Sequence, residues 1–205
     1  MDSESDDACA SWRDHYGPAM PLALKKQLPA LDKHARAFIE RSPFLTMATV
    51  DANGRADCSP RGDQPGFVRV LDDATLFLPD RPGNNRLDSL GNIASHPDVG
   101  LLFLIPGINE TLRVNGKAAI TTETSLLAGS AVKDRTPKSG LVIAVEEVFF
   151  HCTKALVRAR LWAPEAQAAR SEVTTLARVL ADQIEGVDAE KAEMRLAESE
   201  RERLY

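Results

Sequence analysis

The short gaps between strand-like segments are the feature that most limits how this sequence can fold. Seven apolar and β-branched runs predict strands, at 44–50, 56–60, 67–71, 75–78, 98–105, 111–121 and 141–152. Most gaps are too short for the crossover helix that joins parallel strands, and the gap at 51–55 carries the hairpin signal Asn53-Gly54. The pattern therefore predicts a mainly β fold with flanking helices, built as a small antiparallel barrel.

Helices are predicted around these strands. One begins near Pro29 and stops at Ser42-Pro43, and another covers about 85–95 with Leu87 on its apolar side. Shorter helices are expected at 123–131 and 154–161. A long helix is expected at 165–185, where the apolar residues follow a spacing of three and four: Ala166, Ala169, Val173, Leu176, Leu180 and Ile184.

This pattern divides the chain into three parts. Residues 1–20 are acidic and predict a flexible N-terminal segment, residues 21–163 form the barrel domain with its N-terminal helix, and residues 164–205 form a C-terminal helical extension. The N-terminus lacks the basic and apolar regions of a signal peptide.

Charge and cysteine usage narrow the classes of function. The net charge of −5 and the aromatic content of 5% argue against a protein that binds nucleic acid. No apolar run approaches the roughly 20 residues of a membrane span. Cys9, Cys58 and Cys152 are widely spaced and odd in number, which predicts reduced thiols in a cytoplasmic protein, with Cys152 buried.

The loop between the fourth strand and the next helix has the composition of an anion-binding loop. Gly83, Asn84 and Asn85 offer accessible backbone, Arg81 and Arg86 offer guanidinium donors, and a helix N-terminus follows. The loop matches neither a Walker A nor a GxGxxG motif. The alternative is a surface turn with two solvated arginines.

Three further segments carry basic residues. Ser59 and Arg61 end a strand, although Arg61 could simply pair with Asp63 at the surface. Arg113 lies in mid-strand, on the face opposite Leu112, and the Asn115-Gly116 step beyond it could be a β-bulge.

The third segment, 149–162, gathers His151, Cys152 and Lys154 at a strand end. Neighbouring residues of a strand point to opposite faces, so His151 and Cys152 are poorly placed to act as a catalytic pair. The four histidines are scattered, and HExxH and GxSxG are both absent, so neither a metal site nor a Ser-His-Asp site is indicated.

The order of four segments resembles one known family. FLTMATVDANGRADCSPRGD, FVRVLDDATLFLPDRPGNNRLDSLGNI, HPDVGLLFLIPGINETLRVNGKA and FFHCTKALVRARLW look like the FMN-binding split-barrel proteins related to pyridoxamine 5'-phosphate oxidase, over about residues 35–165. The uncharacterised bacterial branch is the most similar. The resemblance implies a split β-barrel and a homodimer with two FMN molecules at the subunit interface.

The resemblance also implies site residues. Asn84, Asn85 and Arg86 take the place of the family's Ser-Arg-Lys phosphate-binding stretch, so one positive charge is missing there. The candidates to replace it are Arg61, Arg81 and Arg113. We expect further cofactor contacts from Ser59, Phe67, Val68, Leu78, Pro79, Thr111, Lys154 and Trp162. Of these, Lys154 and Trp162 would reach the cavity from the partner subunit.

The C-terminal end departs from the oxidase proper. The Arg-Leu-His-Asp-Arg type of signature that holds the substrate phosphate is replaced by RLAESERERLY, so pyridoxamine phosphate is not the expected substrate. The sequence therefore predicts an FMN-dependent oxidoreductase with an unknown small-molecule substrate. The alternatives are a non-catalytic flavin-binding or redox-sensing module, and a barrel that uses haem or a deazaflavin.

Overall fold

A computed structural model describes residues 12–205, so Cys9 and the first part of the predicted flexible segment lie outside the described residues. Residues 12–16 are helical. The strands are β1 (Phe44–Val50), β2 (Ala56–Gly62), β3 (Arg69–Val70), β4 (Thr75–Pro79), β5 (Asp98–Leu104), β6 (Thr111–Thr121) and β7 (Gly140–His151). The helices are α1 (Pro21–Lys25), α2 (Lys33–Arg41), α3 (Asp88–Ser95), α4 (Thr124–Ala128), α5 (Lys154–Ala159), α6 (Leu176–Gln183) and α7 (Ala189–Glu202), with two 3₁₀ turns, Pro164–Ala166 and Arg170–Glu172.

The strands form one seven-stranded sheet in the order β2-β1-β5-β6-β7-β4-β3. Every pairing is antiparallel, which confirms the prediction of a mainly β antiparallel fold. The edge strands β2 and β3 are not paired with each other, so the sheet is not closed. Within residues 12–205, no helix combines the length and the apolar character needed to cross a bilayer.

A β-bulge bends the longest pair of strands. The register of β6 against β7 shifts between Asn115 and Gly116, as the sequence suggested. A Cβ on Gly116 would overlap the carbonyl oxygen of Ala144, so only glycine allows the two backbones to come this close.

The hydrophobic core fills the inner face of the sheet. Leu45, Met47, Phe103 and Leu112 are fully buried, at 0% exposure. The burial of each such side chain contributes roughly 1.5–3 kcal/mol to the stability of the fold. Helix α2 covers this face, and Asp32 caps it by accepting from the N–H groups of residues 34 and 35 at 3.1 and 2.8 Å. The helix therefore begins at Lys33, later than the predicted start near Pro29, and it ends before Pro43 as predicted.

Two predicted elements are shorter in the structure. The third strand covers only Arg69–Val70 instead of 67–71, because the N–H of Phe67 donates to the carbonyl of Gln64 and closes a turn with Gly66 at φ +86°. The helix predicted at 123–131 covers only Thr124–Ala128.

The helix predicted at 165–185 forms only in its second half. Two 3₁₀ turns occupy its first half, and α6 begins only after Thr175, whose hydroxyl accepts from the N–H of Arg178 at 3.2 Å. The β-branched run 173–175 has weak helix propensity, so the chain restarts the helix at this cap. Val173 and Leu176 are both 57% exposed, so the predicted apolar stripe does not form.

The expectation that Cys152 is buried is also wrong. Strand β7 ends at His151, and Cys152 lies exposed in the turn before α5. The prediction failed because the apolar run was read one residue too far.

Gly116→Ala should destabilise the fold by about 3 kcal/mol or more, because the added Cβ meets backbone that cannot move without breaking the β6–β7 ladder. Gly91→Ala is the matched control. It lies in α3 with nothing within 4 Å of an added Cβ, so it should stabilise by about 0.5–1 kcal/mol. Urea unfolding measures both, and a mild effect of Gly116→Ala would contradict the tight approach of the strands.

Candidate functional site

The β4–α3 loop, residues 80–87, connects a buried strand to a helix through two left-handed residues. Asn85 has φ +58° and Leu87 has φ +62°. Helix α3 therefore begins at Asp88 instead of about 85, and Leu87 is 57% exposed instead of packing on the apolar side. The loop thus ends in a sharp turn directly at the start of α3.

The N-terminus of α3 presents free donors. Leu87 supplies no side-chain cap, and none of the hydrogen bonds within residues 12–205 uses the N–H groups of residues 88, 89 and 90. Unpaired N–H groups and the helix dipole both favour an anion at this position.

A polar cluster links this helix start to the edge strand β2. The hydroxyls of Ser59 and Ser89 lie 3.1 Å apart, and Asp57 lies 3.5 Å from the Ser89 hydroxyl. Farther along α3, the side-chain amide of Asn92 donates to the Thr49 hydroxyl at 3.0 Å. Ser59 is therefore next to the start of α3, as a phosphate site at this point requires.

Arg61 differs from the other candidate arginines in that one of its buried donors lacks a partner within the described part of the chain. Its side chain is 24% exposed, its Nη1 lies 3.4 Å from the Asp80 carboxylate, and its buried Nε has no hydrogen-bond partner among the described residues. Burial raises the pKa of Asp80, and the positive charge of Arg61 partly opposes that rise. Arg61 can therefore give its donors to a stronger anion.

Arg81, in contrast, is fully engaged inside the protein. Its Nε donates to Asp63, whose side chain is 2% exposed, and its Nη1 donates to the Ser130 carbonyl at 2.8 Å. Tyr205 covers the pair: its ring centroid lies 5.6 Å from the guanidinium, and its hydroxyl donates to Asp63 at 2.7 Å. That hydrogen bond, together with burial, raises the pKa of Tyr205.

Arg86 points into solvent. Its side chain is 73% exposed, and its Nε donates to Asp88 at 2.7 Å. Its backbone N–H donates to the side-chain carbonyl of Asn84 at 3.0 Å, which shapes the loop. Each loop-side arginine therefore has its own aspartate, and Arg61 has the longest and weakest of the three pairings.

Arg113 lies on the other face of the sheet. The register aligns Leu112 with Phe103, Phe103 with Leu45, and Leu45 with Arg61, so Arg61 shares the inner face with core residues. Arg113, next to Leu112 in β6, faces outward and is exposed. Within one chain the structure does not bring Arg113 together with Arg61 and Ser59.

The remaining predicted site residues fall into two groups. Phe67, Val68, Leu78 and Pro79 are buried, so only their backbone groups can meet a ligand. Thr111, Lys154 and Trp162 lie near the end of β7 that is farther from its pairing with Leu78 and Pro79. Thr111 is buried and pairs with His151 in the ladder, Lys154 is exposed at the start of α5, and Trp162 Nε1 donates to the carbonyl of Ile108 at 2.8 Å.

Sequence reasoning missed the carboxylates and the tyrosine of this site. Asp63 was considered a surface partner of Arg61, but it is buried and pairs with Arg81. Asp80 directly precedes the predicted loop and Ser89 lies in the predicted helix, so their positions in the sequence could have identified both as site residues. Nothing local signals Tyr205, which reaches Asp63 across 142 positions of the chain.

The sequence matches one family over most of the sheet. The sequence model of the family described as pyridoxamine 5'-phosphate oxidase covers residues 31–152, which is more than half of the chain. Comparison with curated proteins finds no significant match.

Solved structures with partial similarity include three named proteins. HupZ of Group A Streptococcus is 22% identical with a TM-score of 0.49, covering 58% of this chain and 93% of its own. An FMN-binding protein of Syntrophomonas wolfei is 15% identical with a TM-score of 0.46, covering 73% and 98%. HutZ, the haem storage protein of Vibrio cholerae, is 15% identical with a TM-score of 0.40, covering 58% and 93%. What each of these proteins binds is a property of that protein.

Asp63→Asn should destabilise the protein by about 3 kcal/mol, because it leaves the nearly buried Arg81 without its counter-charge. Asp88→Asn is the control, since its partner Arg86 is exposed, and it should cost much less. Urea unfolding of the two variants at neutral pH measures the difference. Equal losses would show that the Asp63–Arg81 pair does not hold the loop.

Proposed function

Because the chain belongs to the pyridoxamine 5'-phosphate oxidase family, we propose that it binds FMN and acts as an FMN-dependent oxidoreductase on a small-molecule substrate. The observation that carries this proposal is Arg61, a half-buried arginine with an unsatisfied Nε and a weak ion pair, on the strand that also places Ser59 beside the uncapped start of α3. A phosphate group needs this combination of donors.

The residues present fit the phosphate end of FMN. Arg61 would supply charge-assisted hydrogen bonds, the hydroxyls of Ser59 and Ser89 would supply neutral ones, and the free N–H groups at residues 88–90 would complete the set. Arg86, already at the mouth of the loop, would add a positive charge at longer range. Arg81 would hold the loop in place without touching the phosphate.

The carboxylate of Asp80 competes with the phosphate for Arg61. Its raised pKa means that ionised Asp80 is unfavourable in its half-buried position. A phosphate that takes Arg61 from Asp80 would leave two negative charges close together, so it would favour the protonated acid. Asp80 therefore limits the affinity of the site at neutral pH.

When bound, the flavin ring supplies hydride and electron transfer, and the chain needs no catalytic triad of its own. By similarity we place the ring beside residues 67–70, where Phe67 and Val68 are buried and leave their backbone groups for its polar edge. We also propose that the site is completed in a homodimer, with Lys154 and Trp162 contributed by the second copy. The free thiols of Cys58 and Cys152 support a cytoplasmic location.

The visible spectrum of the purified protein tests this proposal. We expect oxidised-flavin bands, release of FMN and not FAD on heating, and anaerobic bleaching by NADH or NADPH. FMN that binds but is not reduced by any donor would favour the redox-sensing alternative. A Soret band would favour haem, and a protein that takes up no added FMN would refute the proposal.

Arg61→Ala should weaken FMN binding by about 1.5–3 kcal/mol, the value of a charge-assisted hydrogen bond. Asp80→Asn should act in the opposite direction and tighten binding, because it removes the competitor for Arg61. Arg55→Ala, in the exposed β1–β2 turn, is the matched charge control and should have little effect. Fluorescence titration of FMN measures all three, and unchanged affinity in Arg61→Ala would place the phosphate elsewhere.

A further inference from the structure

Two cations share one aromatic ring on the outward face of the sheet. Lys26 Nζ lies 5.7 Å from the ring centroid of Phe149, and the guanidinium carbon of Arg113 lies 5.2 Å from the same centroid. Among the ion pairs of the described residues, none includes either cation. Neither positive charge is offset by an ion pair within residues 12–205, so a bound anion would stabilise both.

The positive charges of both cations also act on His151. Its ring lies 5.0 Å from that of Phe149, and its buried Nε2 has no hydrogen-bond partner in residues 12–205. Burial, and then the positive charges of Arg113 and Lys26, lower the pKa of His151, so the neutral form of the ring is favoured at this position.

Two carboxylates on neighbouring segments make hydrogen bonds to other groups. Glu147, two positions before Phe149 in β7, lies 3.4 Å from the side-chain amide of Asn115. Asp32 accepts the N–H groups that open α2. Neither carboxylate neutralises Lys26 or Arg113.

An apolar cavity of about 310 Å³ opens beside this charged rim. Lys26 lies at the cavity, and its ammonium group also donates to the carbonyl of Phe150. Asp32 and His34 line one edge. The rest of the lining is apolar: Leu28, Ala35, Leu112, Val148, Phe149 and Phe150. The volume is at the lower end of the range for small-molecule sites.

We infer that this cavity and its rim form a second binding site, for a small amphipathic carboxylate. The hydrocarbon or aromatic body of the ligand occupies the apolar cavity, and its carboxylate lies against Lys26 and Arg113. Removal of the apolar body from water contributes affinity in proportion to its buried area, and the two cations select the charge of the head group. Leu112, in the cavity, and Arg61 both face the inner side of the sheet, but none of the residues proposed for the FMN phosphate lines the cavity, so the two sites are separate.

Titration with octanoate tests the inference, with octylammonium as a ligand of the same length and opposite charge. Octanoate should bind saturably, and octylammonium should not. Arg113→Met should weaken octanoate at least about tenfold, which corresponds to the loss of one charge-assisted hydrogen bond. Lys26→Met should act in the same direction, and Lys25→Met, in the exposed α1, should leave the affinity unchanged.

The titration of His151, followed by NMR, gives a second readout. The pKa of His151 should rise when octanoate is bound, because the carboxylate offsets the charges of Arg113 and Lys26. Three results would overturn the inference: equal binding of the two ligands, unchanged affinity in both rim variants, or no binding because another part of the chain or a second copy fills the cavity.

Discussion

The buried carboxylate of Asp63 is the interaction on which the geometry of the phosphate site depends. It accepts from the backbone N–H of Gln64 at 2.7 Å, from the Tyr205 hydroxyl at 2.7 Å and from the guanidinium of Arg81. It therefore ties the loop after β2 to the start of the β4–α3 loop and to the end of the described chain. A buried carboxylate with three donors is satisfied, whereas the loss of Arg81 would leave its charge uncompensated.

This arrangement separates two tasks that the sequence could not separate. Arg81 is bound from several sides and serves to position the loop. Arg61 has one long ion pair and one unsatisfied buried donor, so it is the arginine that gains most from a bound anion. The positive charge that is missing at Asn85 is therefore not replaced by an unpaired arginine, because each of the nearby arginines already pairs with an aspartate.

Much of the fold was predictable because its signals are local. Strands β1 and β6 have the predicted bounds, and the bulge at Asn115-Gly116 is where the sequence suggested it. The errors arose where a local signal was overridden or absent. Thr175 restarts a helix inside an apolar stripe, and Phe67 turns out of a strand-like run. The Asp63–Tyr205 contact and the opposite faces of Arg61 and Arg113 depend on strand register and long-range packing, which no single segment of sequence reveals.

The central claim is that Arg61, on the inner face, and the start of α3 hold a phosphate. Equilibrium dialysis of the intact protein with FMN and with riboflavin tests this claim most directly. The two ligands share the ring system and differ in the phosphate. We predict that FMN binds at least about 100-fold more tightly, since two or more charge-assisted contacts are lost with riboflavin. Equal affinities for the two ligands would contradict the claim, because a flavin site would then exist without a phosphate cradle.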